Sequence, residues 1–252
     1  MKNFLQIKNN FEKKGLCVVK NFFNKSEIDK IKKLSNNIKN SKPKFNEIMK
    51  YYEYSVLNKN KKILVRAEFF YDFCNGLKKI LDHKKIHDVL KNLMKGDCTL
   101  FKEKINYKPS GCRADKVHQD SQGGWNKYSK KFISILVSVQ KSRKINGCIE
   151  FDISGNNKNN ELGDVFKPLK LKTLNKPKFK HIELDAGDVV FFNHYVPHRS
   201  KANESRLDRM QLYVTYNLKK DGNFRKLYFK AKRTSFPPNN ERTKSQKFEY
   251  KI

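Results

Sequence analysis

Hydrophobic residues in the first hundred positions recur at helical spacing in two stretches. In the first, Ile28, Ile31 and Leu34 fall three residues apart, which places them on one face of an α-helix. Ser26 is placed to cap the start of this helix, because its hydroxyl can accept a hydrogen bond from an unpaired backbone amide. A second amphipathic helix is predicted from about residue 84 to residue 94.

From residue 98 onward the apolar positions alternate with polar ones, which predicts β-strands. In residues 100–108 one face carries Lys102, Lys104 and Asn106. Further strands are predicted at residues 16–19, 132–140, 189–192 and 210–217. Helices followed by short alternating strands indicate a mainly β fold with flanking helices, a double-stranded β-helix of the jelly-roll or cupin-like type.

Neither an internal repeat nor a flexible linker divides the sequence, so we expect a single domain over residues 1–252. It divides into a helical N-terminal part (1–97), a jelly-roll core (98–218) and a basic tail (219–252). Residues 152–180 are polar and rich in Asn and Lys, and we interpret them as an insertion loop in the core.

The chain is strongly basic, with 56 Lys and Arg against 25 Asp and Glu and a formal net charge of +31. Such a field attracts anionic ligands, acidic surfaces and nucleic acid. No RNA- or DNA-binding signature accompanies the charge, and a lysine-rich solvated surface explains it more simply. A non-catalytic, nucleic-acid-binding jelly roll stays a distant alternative.

The five cysteines are scattered and form no Cys-x-x-Cys pair, which argues against a disulfide framework and a zinc ribbon. The N-terminus lacks the apolar core of a signal peptide, and no apolar run approaches membrane-spanning length. We therefore expect a cytoplasmic protein with neither a membrane nor a nucleic acid as partner. Its oligomeric state is left open.

Candidate metal ligands come from two short segments. His118 and Asp120 are two residues apart, so on an extended strand both side chains leave the same face. His198 can supply a third ligand from a neighbouring strand. Two histidines and one carboxylate leave three coordination positions of a metal open, which is the ligand set of a non-haem Fe(II) oxygenase.

Longer stretches of sequence around these residues resemble a known family, and they are more specific evidence than a short motif. They are FKEKINYK (101–108), HQDSQGGW (118–125), NGCIE (146–150), GDVVFF (187–192), HRS (198–200) and RMQLYVTYN (209–217). In order and spacing they resemble the phytanoyl-CoA dioxygenase-like family of Fe(II)/2-oxoglutarate-dependent oxygenases. With KRTSFPP (232–238) they look most like its bacterial 2-aminoethylphosphonate dioxygenase branch. The resemblance implies a hydroxylase that uses Fe(II), 2-oxoglutarate and O2.

Carried over residue by residue, the resemblance makes His118, Asp120 and His198 the catalytic iron ligands. Arg209 matches the arginine that holds the far carboxylate of 2-oxoglutarate, with Arg206 as the alternative if the register differs. A guanidinium suits this role because its fork binds a carboxylate bidentately and keeps its charge. Further residues expected at the co-substrate are Ser200, Asn106 and Lys102.

The substrate implied by the resemblance is a small aminophosphonate, such as 2-aminoethylphosphonate, hydroxylated at an aliphatic C–H beside phosphorus. Candidate substrate contacts are Lys104, Arg66, Gln119 and Trp125, with Lys108 and Arg113 as further cations. Glu68 is a candidate partner for the amine. Residues 108–115 depart from the glycine-rich loop usual at this place, so another small amino- or carboxylated metabolite remains an alternative substrate for the same chemistry.

Overall fold

A computed structural model describes residues 2–243 and residue 248. The described part contains five α-helices and eleven β-strands, separated by short 3-10 turns and loops. The helices are α1 (Lys2–Lys14), α2 (Lys25–Asn40), α3 (Asn75–Leu81), α4 (Lys84–Met94) and α5 (Arg225–Ser235). The strands are β1 (Leu16–Val19), β2 (Met49–Tyr54), β3 (Lys62–Glu68), β4 (Cys98–Lys108), β5 (Asp115–His118), β6 (Phe132–Ser138), β7 (Ile149–Asp152), β8 (Phe179–His181), β9 (Val189–Asn193), β10 (His198–Ser200) and β11 (Arg209–Leu218).

Two antiparallel sheets form the body of the protein. The larger sheet has the strand order β1-β9-β6-β11-β4-β3-β2, and the smaller has the order β5-β10-β7-β8. Leu136 and Phe192 of the larger sheet and Phe151 of the smaller sheet belong to one buried cluster, so the sheets pack face to face. This arrangement confirms the predicted jelly roll with flanking helices.

The other face of the larger sheet is covered by helices. Ile135 and Val214 share a buried cluster with Ile31 of α2 and Leu90 of α4. Strand β6 is therefore buried on both faces, which explains why its only polar side chains are the short ones of Ser134 and Ser138. The apolar residues that recur every three or four positions in α2 and α4 thus lie on the side of each helix that faces the sheet.

The N-terminal part is less helical than the sequence predicts. Three of its segments, β1, β2 and β3, are strands of the larger sheet, and only β1 was expected. Helical periodicity dominated the interpretation of residues 1–97, and the mixed composition of residues 46–76 gave no strand signal. Strand β3 pairs with β4, so this region contributes a wall of the site described below.

The start of α2 also differs from the expectation. Asn24, not Ser26, is the N-cap residue: its side chain accepts a hydrogen bond of 3.0 Å from the backbone amide of Glu27. The Glu27 carboxylate accepts in return from the backbone amide of Asn24 at 2.8 Å. This reciprocal capping box lies two residues earlier than the predicted cap.

The predicted basic tail contains α5, which packs against β4. The last predicted tail residues, 244–247 and 249–252, lie outside the described residues. Between β7 and β8 the chain carries a single 3-10 turn, Leu171–Thr173, as expected of an insertion loop. None of the helices in the described part combines the length and the apolar character needed to cross a bilayer.

Candidate active site

The two candidate histidines face each other on adjacent strands of the smaller sheet. His118 is the last residue of β5 and pairs with His198, the first residue of β10. The strand ends at His118, two residues before Asp120, yet Gln119 keeps an extended backbone, and Asp120 opens a 3-10 turn. His198 Nε2 lies 4.0 Å from Asp120 Oδ1, and one ligand atom from each of the three residues lies within 4.8 Å of the others.

Hydrogen bonds orient each of these side chains toward their common centre. Nδ1 of His118 lies 2.7 Å from the carbonyl oxygen of Lys116, and Nδ1 of His198 lies 3.0 Å from that of Val196. A carbonyl accepts only, so Nδ1 carries the proton and Nε2 keeps its lone pair for a metal. The Ser134 hydroxyl donates to Asp120 Oδ2 at 2.8 Å.

The electrostatic environment favours the ligand forms of all three residues. Burial and the neighbouring His198 lower the pKa of His118 to about 3, and burial also lowers the pKa of His198. Burial alone would raise the pKa of Asp120, but His198 and Lys104 lower it. Two neutral imidazoles and one carboxylate therefore suit a divalent metal, and the donor set fits Fe(II).

A smaller cavity of about 60 Å³ lies on one side of the two histidines. Arg209 enters it from β11 and is buried; its guanidinium donates from Nη1 to the carbonyl of Gly147, and its Nε has no hydrogen-bond partner among residues 2–243. Gly147 has a φ of 69°, and a Cβ there would lie 2.5 Å from the Lys201 carbonyl oxygen. The orphaned, buried Nε fits a carboxylate ligand.

Ser200 and Asn106 line the same smaller cavity, as predicted for the co-substrate site. The Ser200 hydroxyl accepts a hydrogen bond of 2.6 Å from Lys108 and donates to Asp115. Lys108 also lies 3.3 Å from Asp115. Asp115 is not predicted from the sequence, and Lys108 is expected at the substrate instead; the unusual segment 108–115 is the signal that could have indicated both.

A larger cavity of about 480 Å³ opens on the other side of His118. Its aromatic wall includes Trp125, Tyr128, Tyr228, Phe236 and Phe166. Besides tyrosines, its titratable lining residues, among those described, are five lysines, His118 and Asp120; the lysines are Lys102, Lys104, Lys127, Lys167 and Lys232. The larger cavity is thus apolar in its walls and strongly cationic.

Lys102 lies in a different place from the one expected. It lines the larger cavity and not the smaller one, because β4 runs past both cavities with every second side chain on the same face. Lys104, the next residue on this face, lines both cavities, and Asn106 lines the smaller one. One strand face therefore spans the two halves of the site.

The tentative substrate residues are divided between several environments. Trp125 lines the larger cavity while packing against Phe101 at 5.5 Å between ring centroids, so it is both wall and core. Gln119 also lines it, but its amide is bound to backbone groups of residues 157–162 and of Tyr195. Arg66 lines the smaller cavity instead.

Three further candidates have partners or positions that separate them from the substrate. Glu68 is fully buried, lies outside the lining of the larger cavity and is paired with Lys232 and Arg66, so it does not face an incoming amine. Arg113 lies in the smaller cavity, 2.8 Å from Glu53. Arg206 is exposed whereas Arg209 is buried, which favours Arg209 as the cavity arginine.

Two segments that the sequence analysis did not assign to the site complete the larger cavity. Tyr228 and Lys232 come from α5, and Val165 and Phe166 come from the insertion loop. Tyr228 and Lys232 are one helical turn apart, so they project on the same side. That spacing was visible in the sequence, but nothing local indicated that the helix returns to the jelly roll.

The fold and the donor set define a class of protein, the non-haem iron dioxygenases that use 2-oxoglutarate. A family model described as phytanoyl-CoA dioxygenase matches residues 11–211. The chain belongs to the phytanoyl-CoA dioxygenase family. The predicted enzyme class, with Fe(II), 2-oxoglutarate and O2 as its cofactors, is thereby confirmed.

Two individual relatives and one solved structure show what the chain is similar to. A 2-aminoethylphosphonate dioxygenase from the uncultured bacterium HF130_AEPn_1 is 33% identical over 245 residues, which are 96% of this chain and 92% of the relative. A methylphosphonate hydroxylase from Gimesia maris is 30% identical over 171 residues, 68% of this chain and 65% of the relative. The crystal structure of EctD from S. alaskensis with 2-oxoglutarate and 5-hydroxyectoine superposes with a TM-score of 0.73 at 15% identity, covering 86% of this chain and 76% of that one.

Proposed function

We propose that this protein hydroxylates an aliphatic C–H bond of a small aminophosphonate, such as 2-aminoethylphosphonate. One observation carries the choice of substrate class: the cavity beside the three candidate ligands has five lysines in its lining and a single carboxylate, that of Asp120, among the described residues. Such a lining favours an anionic ligand. The two phosphonate-oxidising relatives support the same class.

In this proposal His118, Asp120 and His198 bind the iron, and the cavities on either side of His118 separate the two organic ligands. Arg209 holds the far carboxylate of 2-oxoglutarate in the smaller cavity, beside Ser200 and Asn106. With O2, the bound iron and 2-oxoglutarate supply the oxidation, in which 2-oxoglutarate is converted to succinate and CO2 and the substrate C–H to C–OH.

The protein's own contribution is positioning and the exclusion of water. The hydrogen bonds of His118 and His198 to backbone carbonyls and of Asp120 to Ser134 fix the donor atoms before a metal binds. The aromatic wall of the larger cavity surrounds a small substrate with apolar surface, which strengthens its interaction with the lysines.

The decisive experiment is a coupled turnover assay. Protein with Fe(II) and 2-oxoglutarate is prepared without oxygen, mixed with one candidate substrate, exposed to O2, and assayed for succinate and for a product that has gained 16 mass units, the mass of one oxygen atom. We expect 2-aminoethylphosphonate or methylphosphonate to raise succinate formation in proportion to product. An Asp120→Ala variant provides the background.

The same assay decides between the proposed substrate and the alternative. If phosphonates leave succinate at background while an amino acid or another carboxylated metabolite couples, the substrate assignment is wrong and the chemistry stands. If no compound in the panel couples, the proposed hydroxylation of a small polar metabolite is contradicted.

A further inference from the structure

Lys102 is a buried cation whose ammonium group faces aromatic rings instead of an acid. It is 7% exposed, and its Nζ lies 5.5 Å from the ring centre of Trp125 and 5.4 Å from that of Tyr228. Its ammonium group makes no hydrogen bond to any residue in the described part of the chain. A buried ammonium normally has oxygen partners, because its desolvation is costly.

The nearby carboxylate that could serve Lys102 is already shared. Glu68 has no exposed surface, its carboxylate is paired with Lys232, and Arg66 Nε lies 2.8 Å from its Oε1. Lys102 and Lys232 thus lie near one acid, and its carboxylate forms an ion pair with Lys232 and not with Lys102. We call these residues, Lys102, Lys232, Arg66 and Glu68, the Glu68 cluster.

The pKa shifts within the cluster agree with several cations lying near one acid. Burial alone would raise the pKa of Glu68, but Lys232, Lys102 and Arg66 together lower it well below its usual range. Burial lowers the pKa of Lys232, and Lys102 and Arg66 lower it further, against the opposing effect of Glu68. Mutual repulsion between the cations therefore persists although Glu68 is ionised.

The ammonium groups of the cluster lie on the side of the larger cavity. Lys102, from β4, and Lys232, from α5, both line that cavity, whereas Glu68 does not. An anion entering the cavity would therefore meet the two ammonium groups and not the carboxylate behind them.

The position of Lys102 also relates the cluster to the candidate metal ligands. Lys102 is paired across the sheet with Thr215, and Thr215 with Ser134, whose hydroxyl donates to Asp120. Lys102 and Asp120 both line the larger cavity. A head group held by Lys102 would therefore share this cavity with a candidate metal ligand.

We propose that the Glu68 cluster is the subsite for the dianionic head group of the substrate, with Lys102 and Lys232 binding a phosphonate and Glu68 holding the cations together when the cavity is empty. The identity of the head group rests on the proposed function; the preference for two negative charges rests on the two ammonium groups, of Lys102 and Lys232, that line the cavity. From the sequence, Lys102 is expected at the co-substrate, and Lys232 has no predicted role.

Trp125 provides a binding readout that is independent of turnover, because it is the only tryptophan in the chain and lies against Lys102. Metal-free protein at pH 8 is titrated with methylphosphonate, 2-aminoethylphosphonate and inorganic phosphate while tryptophan emission is recorded, and calorimetry repeats each titration. Methanesulfonate serves as the monoanion of matching shape. We expect the phosphonates to bind at least about tenfold more tightly than methanesulfonate.

The variants test the two lysines separately. Lys102→Met and Lys232→Met should each weaken methylphosphonate binding by about tenfold or more and reduce its advantage over methanesulfonate. Lys230→Met is the matched control, since Lys230 is exposed on the same helix and the change removes the same charge. It should bind methylphosphonate as the parent does. Circular dichroism and thermal melting verify that each variant is folded.

Substitution of Glu68 should give a result that a purely structural role of this residue would not produce. Glu68→Gln removes the internal negative charge, so the anion should bind several-fold more tightly although the protein itself loses stability. If Lys232→Met fails to fold because Glu68 loses its main partner, the double variant Glu68→Gln/Lys232→Met removes the pair together and measures the same loss of anion affinity.

The outcomes distinguish this proposal from the proposed function. Phosphonates that couple to succinate but bind Lys102→Met and Lys232→Met as tightly as the parent would overturn the subsite and leave the function in place. Binding of inorganic phosphate that depends on Lys102, with no phosphonate turnover, would support the subsite and reject the aminophosphonate. A parent protein that binds none of the dianions would overturn the subsite.

Discussion

The positively charged side chains have different partners in the two cavities on either side of His118. In the smaller cavity the cations have oxygen partners at hand: Lys108 contacts Ser200 and Asp115, Arg113 lies beside Glu53, and Arg209 donates to a carbonyl. In the larger cavity several lysines lie over aromatic rings. The ring centres are 5.0 Å from Lys127 Nζ at Tyr128 and 5.5 Å from Lys102 Nζ at Trp125.

This difference explains how one site can bind two different anions, each in its own cavity. Cations held by fixed oxygen partners present a rigid arrangement, which suits one ligand of constant shape such as 2-oxoglutarate. Cations over rings lose little when an anion draws them away, because a cation–π contact stabilises by only about 0.5–2 kcal/mol. The larger cavity is therefore suited to attract a dianion, and the smaller one to align a dicarboxylate.

The largest effect should come from the candidate metal ligands. His118→Ala or Asp120→Ala should abolish metal-dependent succinate formation, by about 1,000-fold or more, because two ligands cannot hold the metal in place. Metal content after anaerobic loading with Fe(II), together with the succinate assay, measures this. Turnover within about tenfold of the parent would place the metal elsewhere.

Arg209→Ala should affect the smaller cavity selectively. Loss of a buried guanidinium that pairs with a carboxylate should raise the 2-oxoglutarate concentration needed for half-maximal rate by about 100-fold. Methylphosphonate binding to the metal-free protein should stay unchanged. Arg206→Ala is the control, since it removes an exposed arginine three residues away. Equal effects of the two variants would contradict the assignment of Arg209.

Lys102→Met should give the opposite selectivity. It should weaken methylphosphonate binding by about tenfold while the 2-oxoglutarate requirement changes by less than about threefold, because Lys102 does not line the smaller cavity. Steady-state kinetics with 2-oxoglutarate varied at saturating substrate gives the second quantity. A large rise in the 2-oxoglutarate requirement would return Lys102 to the co-substrate, as the sequence analysis first placed it.

The pH dependence of unfolding should report the Glu68 cluster. Although burial opposes ionisation, the surrounding cations lower the pKa of Glu68 below its unfolded value. Its contribution to stability is therefore present above pH 4.5 and is lost as pH falls from there toward the folded pKa. In urea unfolding at a series of pH values from 7 to 3, Glu68→Gln should lose less stability on acidification than the parent does. Parallel curves would show that Glu68 is not ionised in the folded protein.

The smallest effect should be the contribution of the substrate amine. Among the described residues, Asp120 is the single carboxylate that lines the larger cavity, and it is assigned to the metal. An ammonium group would therefore contact aromatic faces, which is worth about 0.5–1 kcal/mol, or about threefold in affinity. Calorimetry with 2-aminoethylphosphonate and ethylphosphonate measures the difference. A preference of about 100-fold for the amine would require an acidic partner that this account lacks.

The local sequence determined the strand and helix periods and the chemistry of the donors. Alternation in residues 100–108 correctly placed Lys102, Lys104 and Asn106 on one face, because side chains in a strand point to opposite sides in turn. Likewise, His118, Asp120 and His198 were recognisable as a donor set before any geometry was known. Such features depend on residues close in the chain or on motif order, and both are legible in the sequence.

Tertiary structure alone decided how the site is divided. The sequence put Lys102 and Asn106 on one strand face, but only the packing of α5 and the insertion loop placed the first in the larger cavity and the second in the smaller. Lys232 reaches Glu68 across 164 positions of the chain. Contacts at that separation depend on how sheets and helices pack, and no local pattern encodes which buried acid a distant lysine will meet.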